Sequence, residues 1–587
     1  MGRLFITTCF LCFYYFSYSQ VNRIILDEDF SDWPETPLYE DPAGDGNIFG
    51  SDIRDFYISH DDQYIFLRIE FGSELILQDN NSIKIYLDTD NNPTTGISKN
   101  GIGAELEWSF GERRGTLWLN NSFFIQHADI GLVTAPTVSG QQFEIAIRRD
   151  MSTFFNQPFF QGDEIKVVIQ DDLTGGDQLP DENGGVLYTF NGSPTSPLPA
   201  YSITRQSPNH LRVLSQNVLR DELFENSAKP AYTRILQAIQ PDIIGFQEIF
   251  DHSSIATANL VETILQSSPN QNWFHANAIS GIICLSRYPI IASHRIPGFQ
   301  QSQGNGAFLI DTENAFGSPL LYIVAHLPCC NNNTDRQEEI DLILAFIRDA
   351  KAGLGPIPIE ANTPILISGD MNLVGPKSQQ TSLITGDIWD ENEYGDDLIP
   401  DWDGSPFIDA KPISTNQPLT NTWIRPFSDF NPGRLDYILY TGSVLDLQNA
   451  FVLNTETLPM DSLNQYNLLS SDISIASDHL PIVADFTFPM TTAVNEIDSD
   501  APSFRLYQNE PNPFTENSSI SFELPERLFV DLSLYSLDGQ LIKTIQQGQL
   551  DKGLHSFEVK EADINAGFYF YVLKSDKGQL TKKLIKF

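Results

Sequence analysis

The stretch 364-PILISGDMN-372 decides the fold of the central part of this chain. Its apolar run is typical of a buried β-strand, and Asp370 and Asn372 follow that run at once. A charged side chain at the end of a buried strand is costly unless it is paired or bound to a metal. The stretch therefore predicts a core strand that ends in a polar functional site.

The same arrangement recurs on both sides of this stretch. Six further polar side chains end, follow or interrupt apolar strands, namely Asn217, Glu248, His326, Asp436, Asp478 and His479. Between these strands, 231-AYTRILQAIQ-240 and 336-RQEEIDLILAFIRDA-350 have the apolar spacing of amphipathic helices. Strands that alternate with helices predict an α/β or α+β domain.

The types of these side chains point to phosphate chemistry with a metal ion. Carboxylates together with an asparagine oxygen suit a hard divalent cation such as Mg²⁺. Two histidines with separate Asp and Asn residues suit general acid–base work on a phosphate ester. The sequence has no Gly-rich phosphate loop, which argues against nucleoside-triphosphate hydrolysis, and no serine-hydrolase elbow.

A family resemblance is carried by seven segments in a fixed order: "SQNVL", "PDIIGFQEIF", "GIICLSRYPI", "VAHL", "ISGDMNLVG", "GRLDYILY" and "ASDHLPIVADF". In this order they resemble the endonuclease/exonuclease/phosphatase superfamily, which includes DNase I-like nucleases, bacterial sphingomyelinases and inositol-phosphate phosphatases. The resemblance covers about half of the chain. It implies a four-layered α/β sandwich (DNase I-like), with two facing sheets, helices outside and the site at one end.

The resemblance also implies a metal centre and an activated water. Glu248 resembles the principal Mg²⁺ ligand, with Mn²⁺ as an alternative ion, and Asn217 and Asp478 resemble its supporting shell. Asp370 resembles the residue that orients or deprotonates the attacking water. Asn372 would position that water and the phosphate.

The remaining residues of the motif are expected to act on the phosphoryl group. His479 would stabilise charge on the phosphoryl oxygens, with its tautomer held by Asp436. His326 would donate to a non-bridging oxygen. The reaction implied is in-line attack of water on phosphorus, in a phosphodiester or a phosphomonoester.

The substrate stays open at this level. The chain has 587 residues and a formal net charge of −42, which disfavours a sequence-independent grip on phosphate backbones. We therefore expect small or lipid-like phosphoesters, or single nucleotides, to be preferred over duplex DNA. One alternative is an extracellular DNase I-like endonuclease. An alternative of another class is a non-catalytic surface-binding or adhesion protein on a phosphoesterase scaffold, against which the intact motif residues argue.

Two further features of the middle block have several interpretations. Residues 387–409 contain nine acidic side chains, and they form either a solvated loop or a Ca²⁺-binding or specificity loop near the site. Cys329 and Cys330 could form a vicinal disulfide, one of them could pair with Cys284, or all three could be inert buried thiols.

The first block, residues 20–190, consists of short alternating strands separated by turn residues, which predicts a β-sandwich. The segments "ILDEDFSDW" and "IYLDTDNNPTTG" resemble family-9 carbohydrate-binding modules and DOMON-like sandwiches. This resemblance implies a binding module with carbohydrate as a candidate partner. Trp108 and Trp118 would either stack on sugars or belong to the core.

An acidic turn in this first block is a candidate calcium loop. Asp88, Asp90 and Asn92 place oxygens at alternate positions, as Ca²⁺ loops do. A plain Asx-rich turn explains the same pattern.

The two ends of the chain predict export. Arg3 followed by an apolar run to Phe16 predicts a signal peptide over residues 1–19, because the run is too short to span a membrane. No later stretch is long enough to span. "LYQNEPNPF", "LYSLDGQLIKTI" and the basic end "KKLIKF" resemble the C-terminal sorting domain of the type IX secretion system of Bacteroidota. The resemblance implies the type IX secretion machinery as a partner and a secreted or cell-surface location.

The predicted organisation is therefore multidomain: a β-sandwich, an α/β four-layered sandwich and a small all-β sandwich. The boundaries are a signal peptide (1–19), the first sandwich (20–190), a linker (191–203), the catalytic domain (204–489), a second linker (490–502) and the sorting domain (503–587).

Overall fold

The computed structural model describes residues 22–489 and 505–586 with short gaps. The gaps are residues 47–49, 153–157, 193–194, 268–271, 299–303, 508, 510, 513, 516, 537–540, 561, 563, 566 and 576. The predicted signal peptide and the predicted second linker lie outside the described residues. The chain divides into two compact units after Pro489.

The first part of unit 1 is built from antiparallel strands, which are β1 (Tyr39–Glu40), β2 (Ile53–His60), β3 (Tyr64–Leu75), β4 (Ile83–Asp88), β5 (Ile97–Lys99), β6 (Ile102–Ala104), β7 (Leu106–Ser109), β8 (Arg114–Trp118), β9 (Ser122–Ile125), β10 (Val133–Ala135), β11 (Gly140–Arg148), β12 (Glu164–Asp171), β13 (Gln178–Leu179) and β14 (Val186–Thr189). One sheet has the order β1-β2-β3-β11-β10 and the other β13-β12-β4-β7-β8-β9, with β14 beside β12. The strands β5 and β6 pair separately, and a short helix α1 (His127–Ile130) follows β9.

Alternation along the strands buries both faces of the first sheet. On β3, Ile65 and Leu67 enter the core between the two sheets, while Phe66 points to the opposite face. That opposite face packs against Ile24 and Leu26 of the N-terminal segment and against Leu419 of the middle domain. The predicted β-sandwich is therefore present, and its outer face is covered by other parts of unit 1.

The middle domain contains the strands β15 (Leu211–Asn217), β16 (Ile243–Ile249), β17 (Phe274–Ile279), β18 (Gly281–Ser286), β19 (Ile290–Ile296), β20 (Asn305–Ile310), β21 (Leu320–His326), β22 (Ile365–Asp370), β23 (Ile408–Asp409), β24 (Ile413–Ser414), β25 (Asp436–Tyr440), β26 (Asp446–Val452) and β27 (Ile482–Thr487). They form two sheets with the orders β17-β18-β16-β15-β27-β26-β24 and β19-β20-β21-β22-β25-β23.

Its helices are α2 (Lys229–Ile239), α3 (Ser254–Ile264), α4 (Glu313–Phe316), α5 (Asn333–Lys351), α6 (Lys377–Thr385), α7 (Glu391–Tyr394), α8 (Met460–Tyr466) and α9 (Asp472–Ala476). The two helices predicted from apolar spacing correspond to α2 and α5. Among the described residues, no helix is both long and apolar enough to cross a membrane.

Four layers follow from the packing of these elements. Tyr232 and Ile235 of α2 pack on the sheet that contains β15 and β16. Tyr322 and Leu366 of the second sheet belong to the same core, so the two sheets face each other. Ile340 of α5 packs with the other face of the second sheet. The predicted four-layered α/β sandwich is confirmed.

A buried ion pair holds the start of β15. Arg212 donates to both carboxylate oxygens of Asp485 at 2.6 Å, and both side chains are fully buried. The same guanidinium donates to the carbonyl oxygens of Ile203 and Ile239. Every charge is paired here, as burial requires, and the pair lies at the end of β15 opposite Asn217.

The first sandwich and the middle domain are joined directly. The backbone N–H of Leu26 donates to the carbonyl of Pro418 at 2.9 Å, and Thr420 Oγ1 donates to the carbonyl of Leu26 at 2.6 Å. Val138, between β10 and β11, belongs to the core of the middle domain. The sandwich is therefore fixed against the domain that carries the motif residues.

Unit 2 is a small β-sandwich, as predicted. Its strands are β28 (Arg505–Leu506), β29 (Asn517–Leu524), β30 (Leu528–Ser536), β31 (Leu541–Leu550), β32 (Gly553–Lys560), β33 (Gly567–Ser575) and β34 (Gly578–Lys586). They form two sheets with the orders β28-β29-β32 and β31-β30-β33-β34. Ile520, Leu532 and Tyr571 lie in the core between these sheets.

Candidate active site

Parallel strands bring the predicted residues to one edge of the two sheets. β15 pairs with β16 in parallel, and β21 pairs with β22 in parallel. Asn217, His326 and Asp370 are the last residues of β15, β21 and β22, and Glu248 is the last but one of β16. Side chains at the carboxyl ends of neighbouring parallel strands share one edge, which is where α/β sheets bind ligands.

Strand register places the second group of residues beside the first. Asp370 lies opposite His326 on one side and opposite Asp436, the first residue of β25, on the other. His479 precedes β27 and reaches Asp436, since its Nδ1 lies 2.9 Å from Asp436 Oδ2. The register of β21, β22 and β25 thus places His326, Asp370 and Asp436 side by side.

Asn217 connects the two sheets at the site. Its Nδ2 donates to Glu248 Oε1 at 3.1 Å and to Asp370 Oδ2 at 3.2 Å. Its Oδ1 accepts from the backbone N–H of Leu219 at 3.0 Å. The amide therefore holds two carboxylates from opposite sheets at a fixed separation.

Both histidines approach the same carboxylate oxygen. Asp370 Oδ2 lies 3.6 Å from His326 Nε2 and 3.6 Å from His479 Nε2. His326 Nε2 is also 3.8 Å from Glu248 Oε1. Asp370 is thus the centre of the arrangement, with a histidine on each side and an amide donor from the facing sheet.

The electrostatics of this centre favour a charged imidazole beside a proton-accepting carboxylate. Burial raises the pKa of Asp370, and the neighbouring His479 counteracts that rise. Burial disfavours the charge on His479, but Asp436 and Asp370 outweigh it and raise the pKa of His479 to about 10. The carboxylates of Asp436 and Asp370 therefore favour the imidazolium form of His479.

Two site residues have a left-handed backbone. Glu248 has a φ of 67° and Asn372 has a φ of 46°. Such values are rare for residues with a Cβ, and they concentrate at functional sites. Asn372 Nδ2 donates to the carbonyl of Leu327 at 3.0 Å, and its N–H donates to Asp370 Oδ1 at 3.2 Å.

Asp478 lies beside this group, where Trp423 contacts it. Trp423 Nε1 donates to Asp478 Oδ2 at 3.2 Å. Asp478 Oδ1 and Asp436 Oδ1 are buried and have no hydrogen-bond partner among the described residues. A buried carboxylate oxygen without a donor is a position that a cation would satisfy.

The residues present fit a hard divalent cation. The candidate ligand atoms are carboxylate oxygens, which Mg²⁺ and Mn²⁺ prefer. Two of these oxygens accept no hydrogen bond from the described residues. Asp370, Asp436 and His479 offer ligand atoms within 4.8 Å of one another. Asn217 presents its N–H group to Glu248 and Asp370 here, so in this arrangement it positions carboxylates.

A cleft of about 760 Å³ opens above this centre. Glu248, His326, Asp370, Asn372 and His479 line it. Asn217 and Asp436 are almost fully buried beneath the residues that line the cleft. The volume is in the range of small-molecule sites, about 300–1,000 Å³.

Comparison with known protein families decides the assignment of this domain. Residues 214–479 match the model of the Endonuclease/Exonuclease/phosphatase family. The middle domain belongs to the endonuclease/exonuclease/phosphatase family. Residues 510–587 match the Secretion system C-terminal sorting domain. No curated protein matches the chain.

Several solved structures are similar to about half of the chain. A beta toxin from Staphylococcus aureus is 16% identical, with 47% of this chain and 99% of that chain covered and a TM-score of 0.30. Sphingomyelinase C from Streptomyces griseocarneus is 16% identical, with 47% and 99% covered and a TM-score of 0.28. ANGEL2, a 2',3'-cyclic phosphatase, is 14% identical, with 47% and 95% covered and a TM-score of 0.33.

The cleft of the endonuclease/exonuclease/phosphatase domain also contains residues that the sequence did not indicate. Ile76, Gln78, Asp79 and Thr137 come from the first sandwich, and Phe430 comes from a loop before β25. These residues belong to no local motif. Only the packing of two domains brings them to the cleft.

The acidic insertion does not line the cleft, so the expectation of a specificity loop near the site is wrong. Residues 387–409 instead contact α5 and the segment before β22. Arg348 donates to the carbonyl of Tyr394 at 2.8 Å, and Trp402 Nε1 donates to the carbonyl of Thr363 at 2.8 Å. The carboxylates of the insertion include Asp401, which is buried, and Asp409, which pairs with the buried Arg434.

The cysteines divide into a core thiol and a pair at the cleft. All three are free, and Cys284 is buried. Cys329 and Cys330 are exposed and line the cleft, with their Sγ atoms 2.7 Å apart. Pairing with Cys284 is therefore wrong, and the expectation of inert buried thiols holds for Cys284 alone.

The acidic turn of the first sandwich lies next to Glu105, a residue that the sequence did not indicate. Asp88 and Asp90 lie with Glu105, their oxygens within 4.8 Å of one another. Glu105 Oε1 is buried and has no hydrogen-bond partner among the described residues. Asn92 Oδ1 accepts from Thr94 N and Oγ1, as in an Asx turn.

The two tryptophans of the sandwich have different environments. Trp108 is fully buried in the core between the sheets. Trp118 is partly exposed, and its Nε1 donates to Glu107 Oε2 at 3.0 Å. Trp108 is therefore a core residue, so of the two interpretations the core position is correct for Trp108 and sugar stacking is wrong.

Proposed function

We propose that the chain is an exported, metal-dependent phosphoesterase that hydrolyses phosphodiester or phosphomonoester bonds by in-line attack of an activated water. The observation that carries the proposal is Asp370. This buried carboxylate lies on the floor of a cleft and has Asn217, His326 and His479 around one of its oxygens.

Glu248 would hold Mg²⁺ or Mn²⁺ as the principal ligand, with support from Asp478. Asn217 would position the Glu248 carboxylate through its N–H group. The bound ion would supply a Lewis acid for a phosphoryl oxygen. The two carboxylate oxygens without donors, on Asp478 and Asp436, support a cation at this edge.

Asp370 would take the proton of the attacking water. Its raised pKa, caused by burial, moves it toward the range in which a carboxylate works as a base near neutral pH. Asn372 is held by Asp370 Oδ1 and by the carbonyl of Leu327, and it would position the water and the phosphate.

His479 and His326 would bind the phosphoryl oxygens. The contact with Asp436 at Nδ1 keeps His479 charged and leaves Nε2 as the donor on the side of Asp370. An imidazolium donor stabilises the charge that develops as water attacks. His326 Nε2 lies on the opposite side of Asp370 and would donate to a non-bridging oxygen.

The acidic turn of the first sandwich would hold Ca²⁺. Asp88, Asp90 and Glu105 supply carboxylate oxygens, and Glu105 Oε1 has no other partner among the described residues. This site would stabilise the sandwich and take no part in hydrolysis.

The two chain ends would direct export. The signal peptide predicted over residues 1–19 would lead to the periplasm. The sorting domain would then use the type IX secretion machinery, and its family match over residues 510–587 supports this route. The protein would be secreted or displayed on the cell surface.

A phosphoester panel tests the activity. Purified protein, stripped with EDTA, is assayed on bis-p-nitrophenyl phosphate, p-nitrophenyl phosphate, choline phospholipids and plasmid DNA with Mg²⁺, Mn²⁺ or Ca²⁺. We expect turnover that requires a divalent ion and that Asp370→Asn abolishes. Asp349→Asn, a half-exposed carboxylate beside Arg348, is the matched control.

Two results would contradict the proposal. Turnover that persists in EDTA would exclude metal dependence. Absence of turnover on every phosphoester would favour the non-catalytic surface protein. Plasmid nicking alone, without turnover of the other substrates, would identify the endonuclease.

A further inference from the structure

One side of the cleft is formed by a different domain from its floor. The loop between β3 and β4 contributes Ile76, Gln78 and Asp79, and the segment between β10 and β11 contributes Thr137. Phe430 and Asn431, in the loop that precedes β25, stand next to them. We call these six residues the cleft wall.

Gln78 ties the two halves of the cleft wall together. Its Oε1 accepts from the backbone N–H of Asn431 at 2.9 Å, and its Nε2 donates to Thr134 Oγ1 at 3.1 Å. A single side chain thus joins a loop of the phosphoesterase domain to a strand of the sandwich. Removing the Gln78 side chain would remove both hydrogen bonds and leave the N–H of Asn431 without this acceptor.

Arg113 holds Phe430 in the same wall. Its guanidinium lies 4.1 Å from the centre of the Phe430 ring and donates to the carbonyl of Gln78 at 2.9 Å. A cation over an aromatic face fixes the position of the ring. Phe430 is therefore positioned by the sandwich, although the phosphoesterase domain carries it.

The cleft wall is also anchored directly behind a motif residue. Thr137 Oγ1 donates to the carbonyl of Leu373 at 2.7 Å, and Leu373 follows Asn372 in the chain. The backbone N–H of Ser139 donates to the carbonyl of Gly375 at 2.9 Å. The distance between the cleft wall and Asp370 is therefore set by hydrogen bonds.

A cleft that is bounded by this wall on one side favours compact ligands. Its volume of about 760 Å³ suits a molecule of nucleotide size or smaller. Among the described residues that line it, Arg220 is the one Lys or Arg side chain. A nucleic-acid strand needs basic residues at successive phosphates, and this cleft does not provide them.

We propose that the first sandwich determines specificity: its cleft wall confines the site to compact phosphoesters and excludes nucleic-acid polymers. This inference rests on the proposed function. It makes the sandwich part of the substrate site of the enzyme.

Opening the cleft wall tests the inference. The full-length chain is compared with Gln78→Ala and Phe430→Ala, and the readout is the ratio of kcat/KM for single-stranded oligothymidylate to kcat/KM for bis-p-nitrophenyl phosphate. We expect a low ratio in the wild type and a rise of about tenfold in each variant, the size of one lost contact.

The chain offers a matched control for each variant. Gln161→Ala changes an exposed glutamine of the sandwich, and Phe427→Ala changes an exposed phenylalanine of the loop that carries Phe430. Neither residue lines the cleft, so both controls should keep the wild-type ratio. A rise in the controls as well would mean a general loosening and would overturn the inference.

The outcomes separate this inference from the proposed function. If the wild type hydrolyses the compact substrate and the two variants keep its ratio, the cleft wall does not select and only this inference is overturned. If the wild type hydrolyses no phosphoester, the proposed function is wrong, and this inference is overturned as well.

A second, independent feature lies at another edge of the sandwich. Asp41 follows β1, Asp45 lies in the loop before β2, and Asp177 precedes β13. Their oxygens lie within 4.8 Å of one another. Asp41 is 8% exposed and Asp177 is 3% exposed, so two of the three carboxylates are buried.

The Asp41 carboxylate has no partner. Neither of its oxygens has a hydrogen-bond partner among the described residues. Asp177, by contrast, accepts from the backbone N–H groups of Ile53 at 2.6 Å and Gln178 at 2.7 Å. A buried, unpaired carboxylate is costly unless a metal binds it.

We infer that Asp41, Asp45 and Asp177 hold a Ca²⁺ ion that links the two sheets of the sandwich. β1 belongs to one sheet and β13 to the other, so a shared ion would join them. Without an ion, burial and then the charge of Asp177 raise the pKa of Asp41 to about 8. Protonation is therefore the competing way to relieve this site.

Calcium counting in the full-length chain distinguishes the two. Glu105→Gln is present throughout to remove the other acidic turn, and bound Ca²⁺ is measured by elemental analysis after dialysis, together with thermal unfolding. We expect Asp41→Asn and Asp45→Ala each to lose one equivalent of Ca²⁺ and the associated rise in Tm. Asp150→Asn, an exposed carboxylate beside Arg148, should lose neither.

Equal Ca²⁺ binding in Asp41→Asn, Asp45→Ala and the control would overturn the inference in favour of a protonated Asp41. Asp45 is exposed, so Asp45→Ala should fold and keeps the test decisive even if Asp41→Asn does not fold.

Discussion

The floor and the wall of the cleft are built in different ways. The floor residues end strands of the two central sheets, where ladder hydrogen bonds set Asp370 opposite His326 and Asp436. The cleft wall comes from loops, which a few side-chain bonds such as that of Gln78 to Asn431 join across two domains. The floor is held by the regular backbone, whereas the wall is held by single contacts.

Under the proposed function, this difference separates chemistry from selectivity. Changes at the floor disturb groups that lie together around Asp370, and their effects on turnover should be large. Changes at the wall should alter which substrate enters. A change at the far end of a floor strand should affect stability and leave the chemistry of the folded protein intact.

The largest expected change in free energy is at the far end of β15. Arg212→Met leaves Asp485 buried without its partner, so we expect a loss of about 3–5 kcal/mol of unfolding free energy. Denaturant titration measures this loss, and kcat per folded molecule should stay at the wild-type value. Arg212→Met with Asp485→Leu should recover much of the stability. A fall in kcat of the folded variant would show that the two ends of β15 are not independent.

The next effect is at the other end of the floor. Glu248→Gln removes the charge of the proposed principal metal ligand, and we expect kcat/KM to fall by more than about 100-fold. A residue that contacts only the ligands of a metal usually has a smaller effect when it is changed. Isothermal titration with Mn²⁺ should show weaker binding, while thermal unfolding stays unchanged. Glu313→Gln, an exposed glutamate of α4, is the control. Wild-type turnover in Glu248→Gln would exclude this metal assignment.

A smaller effect should appear one step behind the reacting groups. Asp436→Asn removes a charge that raises the pKa of His479, so that pKa falls. The proposed function makes the imidazolium the active form, so the alkaline limb of the pH–rate profile should move to lower pH, and kcat should drop about 10- to 100-fold. An unshifted alkaline limb would mean that Asp436 does not act through His479.

The smallest expected effect concerns unit 2. A chain that ends at Pro489 keeps both the floor and the wall, so kcat/KM should be unchanged within error. Export in the native host should be lost. If the shortened protein folds but fails to hydrolyse phosphoesters that the full-length protein hydrolyses, unit 2 is needed for activity in addition to the floor and the wall.

Much of the fold followed from local patterns. Alternating apolar residues predicted the strands of both sandwiches, and apolar spacing predicted α2 and α5 close to their observed bounds. The floor was predicted because its residues interrupt apolar strands. A charge buried there is costly unless it is paired or bound to a metal, so such residues indicate a functional site. The structure then assembled six of the predicted polar residues around or directly beneath Asp370, and placed Asp478 beside them.

The expectations that failed depended on long-range packing. One of the two interpretations of the acidic insertion was a specificity loop near the site, but its backbone is held by Lys351 and Arg348 of α5, and it does not line the cleft. Glu105 was not anticipated beside Asp88, because β-strand pairing brings it there from outside the turn.

The sequence by itself determined which polar residues end the buried strands of the site, and only the tertiary structure decided the shape of its cleft. A polar residue at the end of a buried strand is conspicuous in its own neighbourhood, because apolar residues surround it in the chain. Gln78 and Asn431 are separated by 353 residues and look like ordinary loop residues. Their contact comes from the docking of the first sandwich on the middle domain, and no local periodicity encodes where two domain surfaces meet.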